Sequence, residues 1–183
     1  MIITLNGKAG AGKSSVAKAL AEKLGYNFYS AGDVRRKYAV DKGLTLAELN
    51  KQAETDPASD KLVDDYLKKI SKTEDNLVID SRLGFFFVPH SIKIFLDAEL
   101  KVRAKRALDK ARPEENLKNL GEAVKLLKER DASDIRRYKK LYGVNPFEMK
   151  HYDLVIDTSN NTVEQTLNIV LDFLRKKKMK MKI

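Results

Sequence analysis

The sequence predicts a doubly wound α/β domain, a five-stranded parallel sheet flanked by helices. Two observations carry this. Five short β-rich apolar runs alternate with segments of helical periodicity, the βαβα order of a parallel sheet. Three of those runs are mostly apolar and end at an aspartate, as strands buried on both faces do. The length of 183 residues suits one compact domain.

The first strand is Ile2 to Asn6, followed by a glycine-rich loop. A helix over Lys13 to Leu24 carries Val16, Ala17, Leu20, Ala21 and Leu24 at helical spacing, and Gly25 stops it. The second strand is Asn27 to Ser30. Thr45-Leu46-Ala47-Glu48 reads as a capping box opening a short helix, and Asp60 to Ser71 as a longer one. The third and fourth strands are Leu77 to Asp80 and Ile92 to Leu96. Helices over Glu99 to Lys110 and Glu114 to Lys140 lead to the fifth strand, Leu154 to Asp157, and Thr162 to Lys177 closes the set. The segments 33–74 and 98–152 are mainly helical insertions. In a doubly wound sheet such insertions rise over the carboxyl ends of the strands, where ligands bind.

Composition removes several classes of function. The sequence has no cysteine, so disulfides, thiolate metal sites and cysteine catalysis are excluded. With two histidines, His90 and His151, a histidine-built zinc site lacks ligands. No apolar run approaches the roughly 20 residues that span a bilayer. Met1 to Asn6 lacks the basic flank of a signal peptide, so a cytoplasmic location is the default expectation. The net charge is +10, but Arg175, Lys176, Lys177, Lys178, Lys180 and Lys182 supply much of it. The remainder holds 30 basic against 26 acidic residues, or +4. The tail 175–183 reads as a solvated helix end, with a nucleic-acid arm as the alternative.

The chemistry starts at Gly7-Lys8-Ala9-Gly10-Ala11-Gly12-Lys13-Ser14, which matches G-x-x-x-x-G-K-[ST] between an apolar strand and an amphipathic helix. Glycines let the backbone wrap a phosphate so that its N–H groups converge on the oxygens. The helix N-terminus adds partial positive charge. Lys13 is placed to reach the β- and γ-phosphates, and the Ser14 hydroxyl to bind Mg²⁺. A glycine- and alanine-rich turn is the bland alternative. Such a loop specifies a nucleotide and leaves the reaction open. A switch GTPase wants D-x-x-G and N-K-x-D, but Asp80-Ser81-Arg82-Leu83 lacks the glycine and Asn50-Lys51-Gln52-Ala53 the aspartate. A motor ATPase usually shows a second acid beside Asp80.

Arginines suit a second phosphate. Arg35 and Arg36 follow the second strand, Arg82 ends the third, and Arg103 and Arg106 follow Asp97. Arg130, Asp134 and Arg137 share one helix face. Guanidinium groups grip phosphate oxygens in a bidentate fork and keep their charge. Solvated i,i+4 salt bridges would account equally well for Arg130 with Asp134 alone. An arginine-rich, histidine-poor site fits transfer to a phosphate oxygen. That nucleophile is already ionised, so catalysis reduces to positioning and charge neutralisation.

At these motifs the chain resembles the cytidylate kinases among the P-loop nucleoside monophosphate kinases, and the short archaeal type more than the bacterial one. The likeness runs from Ile2 to about Leu174. It rests on the Gly7 to Ser15 loop, Tyr29-Ser30-Ala31-Gly32 with Arg36, Asp80-Ser81-Arg82, and Phe95-Leu96-Asp97-Ala98 with Arg103 and Arg106. Arg130-Asp131-Ala132-Ser133-Asp134 with Arg137 resembles the lid motif R-D-x-x-D-x-x-R, and the Tyr138 to Val144 and Tyr152 to Ser159 segments look archaeal in type.

The resemblance implies a single P-loop kinase domain over 1–183, with residues 33–74 binding the acceptor and about 105–140 forming a lid. It implies transfer of the γ-phosphoryl group of ATP, with Mg²⁺, to CMP and dCMP. A monomer is the default expectation, and the sequence itself points to neither a membrane nor a nucleic-acid partner. Gly7, Lys8, Ala9, Gly10, Ala11, Gly12, Lys13, Ser14 and Ser15 would bind ATP. Ser30, Arg36, Asp80, Arg82 and Asp134 would bind the acceptor. Lys13, Arg130 and Arg137 would be catalytic, and Arg103 and Arg106 would meet phosphate from the lid.

Two departures bear on the base: Ser81 replaces the usual glycine, and Leu83 stands where the bacterial type has an aspartate that helps read the cytosine edge. Another monophosphate or a non-nucleotide acceptor is therefore the second reading, and a nucleotide-gated RNA-binding protein the third. Phe85-Phe86-Phe87-Val88 reads as a hydrophobic anchor, with base stacking by Phe85 as the alternative. His90 and His151 read as surface or packing residues. Asp64 and Asp65 read as a solvated helix face, with contact to the acceptor as the alternative.

Overall fold

The computed structural model describes residues 1–109 and 117–180. Residues 110–116, which fall within the expected lid and its helices, and 181–183 of the tail lie outside the described residues. Five parallel strands form one sheet: β1 (Ile2–Gly7), β2 (Asn27–Ser30), β3 (Leu77–Asp80), β4 (Ile92–Asp97) and β5 (Leu154–Asp157). Their spatial order is β2-β3-β1-β4-β5, and this order brings the loop after β1 to the centre of the sheet. Ile3 pairs with Val78 on one side and Ile92 on the other.

Alternation within the central strands feeds both faces. Ile3, Leu5, Val78, Ile94 and Leu96 pack against α1 (Lys13–Leu24) and, through Val170, Leu171 and Leu174, against the last helix. Ile2, Leu77 and Ile79 face the opposite way, toward Val63, Leu67 and Ile70. The expectation of strands buried on both faces holds for β3 and fails for β5. Val155 of β5 is 44% exposed, and β5 is an edge strand of the sheet among the described residues.

Seven further helices surround this sheet among the described residues. They are α2 (Ala31–Asp41), α3 (Leu46–Gln52), α4 (Ala58–Thr73), α5 (Gly84–Phe87), α6 (Leu100–Asp109), α7 (Leu120–Tyr142) and α8 (Val163–Lys180). The expected capping box opens α3: the Thr45 hydroxyl accepts from the Glu48 amide, and the Glu48 carboxylate accepts from the Thr45 amide. The Asn119 side chain caps α7 by accepting from the Glu122 amide at 2.9 Å, and Gly143 ends that helix at φ 69°. The helix expected from Glu114 thus starts at Leu120 within the described residues. The basic tail continues α8 through Arg175 and Lys177, which pair with Asp172 and Asp153.

Candidate active site

The loop from Gly7 to Gly12 leaves β1 at the centre of the sheet and delivers the chain into α1. Gly7, Gly10 and Gly12 take φ of 147°, 83° and 86°, which L side chains rarely adopt. Gly7 is also forced by space, since a Cβ there would lie 1.9 Å from the Leu96 carbonyl oxygen of β4. The N-cap of α1 is Gly12, with no side chain to cap the first turn. Its amide groups are left for an anion.

Lys13 stands in this first turn, its ammonium donating to the Lys8 carbonyl at 3.3 Å. Burial, with Arg82 and Arg130 nearby, lowers its pKa to about 7, against the pull of Asp80 and Asp134. Ser14 donates its hydroxyl proton to Asp80 at 2.5 Å. A hydroxyl and a carboxylate side by side are hard oxygen donors of the kind Mg²⁺ takes. Among the described residues no group of three or more acids and histidines could hold a metal alone. That set fits an ion held mostly by phosphates and water.

A cavity of about 640 Å³ extends from this loop, past Asp80 and Arg82, to α2, α3 and α4 on one side and α7 on the other. A chain of buried charges spans its wall. Arg82 donates to the Gly7 carbonyl at 2.6 Å and to Asp134 of α7 at 2.8 Å. Arg137 donates to Asp134 at 2.6 Å and to Asp60 of α4 at 2.7 Å. Arg35 of α2 donates to the same Asp60 at 2.7 Å. Burial works against the Asp134 charge, but Arg82 and Arg137 hold its carboxyl below the ordinary range. A phosphate-binding loop facing arginines across a cavity can neutralise two phosphate groups at once.

The model of the cytidylate kinase-like family matches residues 2–160. The chain belongs to this family. It is 37% identical to the cytidylate kinase of Methanocella arvoryzae, covering 96% of this chain and 99% of that relative. It is 41% identical to the cytidylate kinase of Natronomonas pharaonis, covering 87% and 81%. Among solved structures it is similar to the shikimate kinase of Bacteroides thetaiotaomicron, with a TM-score of 0.67 at 18% identity over 96% of this chain and 98% of that one. The shikimate kinase of Acinetobacter baumannii gives 0.61 at 21%, over 97% and 94%. These structural likenesses show the P-loop kinase fold. By family and fold the chain is a nucleoside monophosphate kinase.

Most of the residues singled out in the sequence converge on this kinase's cavity. Ala9 to Ser15, Ser30, Arg36, Asp80, Arg82, Arg106, Arg130 and Asp134 line it. Others stand behind it. Gly7 offers its carbonyl to Arg82, and Lys8 turns away to pair with Asp97 at 2.8 Å. Arg103, expected beside Arg106 at phosphate, is buried under the loop instead. It donates to the Ala9 carbonyl at 3.2 Å and to Asp131 at 2.9 Å. Arg106 is tied to the segment after β5 by bonds to Thr158. Arg137, expected to be catalytic, is 2% exposed and absent from the cavity lining, since Asp60 and Asp134 hold both arms of its guanidinium.

Phe85 is buried, stacked on His151 with ring centroids 4.7 Å apart, so it anchors α5. His90 is exposed. Asp64 overturns its reading as solvated: it is 4% exposed and lines the cavity, while Asp65 does face solvent. Asp60 was missed altogether. A signal existed: Asp60, Val63, Asp64, Leu67 and Ile70 fall on one stripe of α4, so two acids interrupt its apolar face.

Proposed function

We propose that this kinase transfers the γ-phosphoryl group of ATP to CMP, and to dCMP, giving ADP and CDP or dCDP. One observation carries the reading beyond the family match. A single cavity joins the phosphate loop to Arg82 and Arg130 and then to the acidic, helical acceptor side. Residues of 33–74 form that side, and α7 serves as the lid.

In this reading the first-turn amides of α1 and the Lys13 ammonium grip the β- and γ-phosphates. The Ser14 hydroxyl and Asp80 would hold Mg²⁺, which would neutralise negative charge on the β- and γ-phosphates. Ser30, Arg36 and Arg82 bind the acceptor phosphate. One of its oxygens attacks the γ-phosphorus in line. The bond to the β–γ bridging oxygen breaks, and that oxygen leaves on ADP. No general base is required because the attacking oxygen carries no proton at neutral pH. Arg130 stabilises the equatorial oxygens of the transferring group, and Asp134 keeps α7 in register through Arg82 and Arg137. Closure over the cavity limits hydrolysis of ATP by water.

The test is product formation from ATP·Mg²⁺ with CMP, dCMP, UMP, AMP or GMP, resolved by chromatography. CDP and dCDP are expected in clear excess. Lys13→Ala should abolish turnover, and Arg130→Ala should slow transfer with ATP affinity little changed. Efficient turnover of a different monophosphate would overturn the acceptor. Full activity in both variants would overturn the site.

A further inference from the structure

Among the described residues four carboxylates line the cavity, and three of them have evident work. Asp60 is shared by Arg35 and Arg137, Asp134 by Arg82 and Arg137, and Asp80 is bonded to Ser14 beside the phosphate loop. Asp64 is different. It makes no ion pair among the described residues, although its side chain is buried on the cavity wall. Its Oδ2 accepts a short hydrogen bond from the Tyr142 hydroxyl at the end of α7. Tyr142 is itself wedged edge-on against Phe87, at 5.2 Å between ring centroids, and packs on the cluster of Leu83, Phe85 and Tyr138. One carboxyl oxygen is therefore anchored, and the other is left for whatever enters the acceptor side.

An uncompensated buried carboxyl is costly unless something needs it. Burial is the main reason that its pKa rises to about 7, with Asp60 one turn away adding to the rise and the Tyr142 hydrogen bond opposing it. Its Oδ2 has the Tyr142 hydroxyl as donor, and its Oδ1 accepts no hydrogen bond among the described residues. Nearby, the Tyr29 hydroxyl is buried without a partner among the described residues, within the electrostatic reach of Asp64. Polar capacity is thus stored on the acceptor side, away from the phosphate loop.

We infer that Asp64 is a specificity-determining residue of this kinase, its free carboxylate oxygen accepting a hydrogen bond from the exocyclic amino group of the acceptor base. The inference rests on the proposed acceptor and supplies the group that reads it. A 4-aminopyrimidine presents an N–H donor to that oxygen. Against the ionised carboxylate, the form that prevails above about pH 7, uracil presents a carbonyl oxygen at the same place, so acceptor meets acceptor in a desolvated setting. A site that has buried a polar group to meet its substrate rejects the mismatched analogue far more strongly than an apolar pocket would. Tyr142 holds the carboxyl in place from the lid helix, so recognition of the base is coupled to the docking of α7.

The experiment compares kcat/KM for CMP and UMP in the wild type, Asp64→Asn and Tyr142→Phe, with ATP affinity measured alongside. Asn keeps the shape and can turn an amide N–H toward the base. Asp64→Asn should lower the CMP to UMP preference at least tenfold, by loss on CMP and gain on UMP, while ATP affinity stays within about twofold. Tyr142→Phe keeps the carboxylate but frees it, so KM for CMP should rise several-fold with kcat little changed. A wild-type preference for CMP that survives in Asp64→Asn would overturn the inference and leave the proposed function standing. If Asp64→Asn fails to fold, an unchanged KM for CMP in Tyr142→Phe overturns it instead. A wild type that does not use CMP would overturn both.

Discussion

Lys13 shows how much a single residue's surroundings decide. An ammonium with a pKa lowered to about 7 is mostly neutral in the empty site at mildly alkaline pH. A polyphosphate brought against it reverses the balance and restores the charge. Between about 7 and 10.5 the empty protein therefore binds fewer protons at Lys13 than the complex does, and nucleotide binding takes one up. Calorimetry near pH 8.5 (roughly mid-window) in buffers of different ionisation enthalpy should give a slope near one proton for the wild type and near zero for Lys13→Met. A flat wild-type response would mean that the lysine is already charged. The same sign governs stability. The unfolded chain holds the extra proton across this window, so the Lys13 contribution rises with pH from about 7 to 10.5. Lys13 was legible in the sequence because its partners in the loop are contiguous. Asp64 was not, because the hydroxyl that anchors it lies 78 residues away on another helix.

Among the elements, the phosphate loop divides its glycines by what surrounds them. Gly12 sits at φ 86° in open space, with nothing within 4 Å of an added Cβ. Gly12→Ala should cost only the left-handed strain, about 1–2 kcal/mol. Gly7→Ala must push the loop off β4, because the added carbon would overlap the Leu96 carbonyl. Its loss in chemical denaturation should be several times larger, and equal losses would show that the approach of the loop to β4 is not a constraint. The strands were legible to within a residue because short β-rich apolar runs are a local signal, sharpened in three of them by a closing aspartate. The α2 helix was only implied by the character of its region. Its apolar residues are sparse, and its buried positions include the charged Arg35, so periodicity says little. The placement of Arg103 was equally hidden: one turn from Arg106, it is bonded to the Ala9 carbonyl and to Asp131 on α7, a partner distant in sequence.

The whole molecule is tied together by the charge chain running from the Gly7 carbonyl through Arg82, Asp134, Arg137 and Asp60 to Arg35. It links the phosphate loop, the end of β3, α7, α4 and α2, which are far apart in sequence. Asp60 is its hub, with a side chain 2% exposed between guanidiniums that are 10% and 1% exposed. Removing one member of such a buried set leaves uncompensated charge, at a cost of about 3–5 kcal/mol. Asp60→Asn should therefore destabilise the fold on that scale. The deficit should persist between about 0.1 and 1 M salt, because screening over roughly 10 to 3 Å acts on exposed charges and little on buried ones. The exposed Arg175–Asp172 pair is the control, and Asp172→Asn should change stability by under about 1 kcal/mol. Asp60 holds α4 against α7 but does not touch the phosphate loop, which keeps its own bond to Arg82. In the surviving folded fraction, KM for the acceptor should rise more than KM for ATP. Equal rises would mean that the chain acts as one rigid unit, and an unchanged stability would mean that the arginines find other partners when Asp60 is gone.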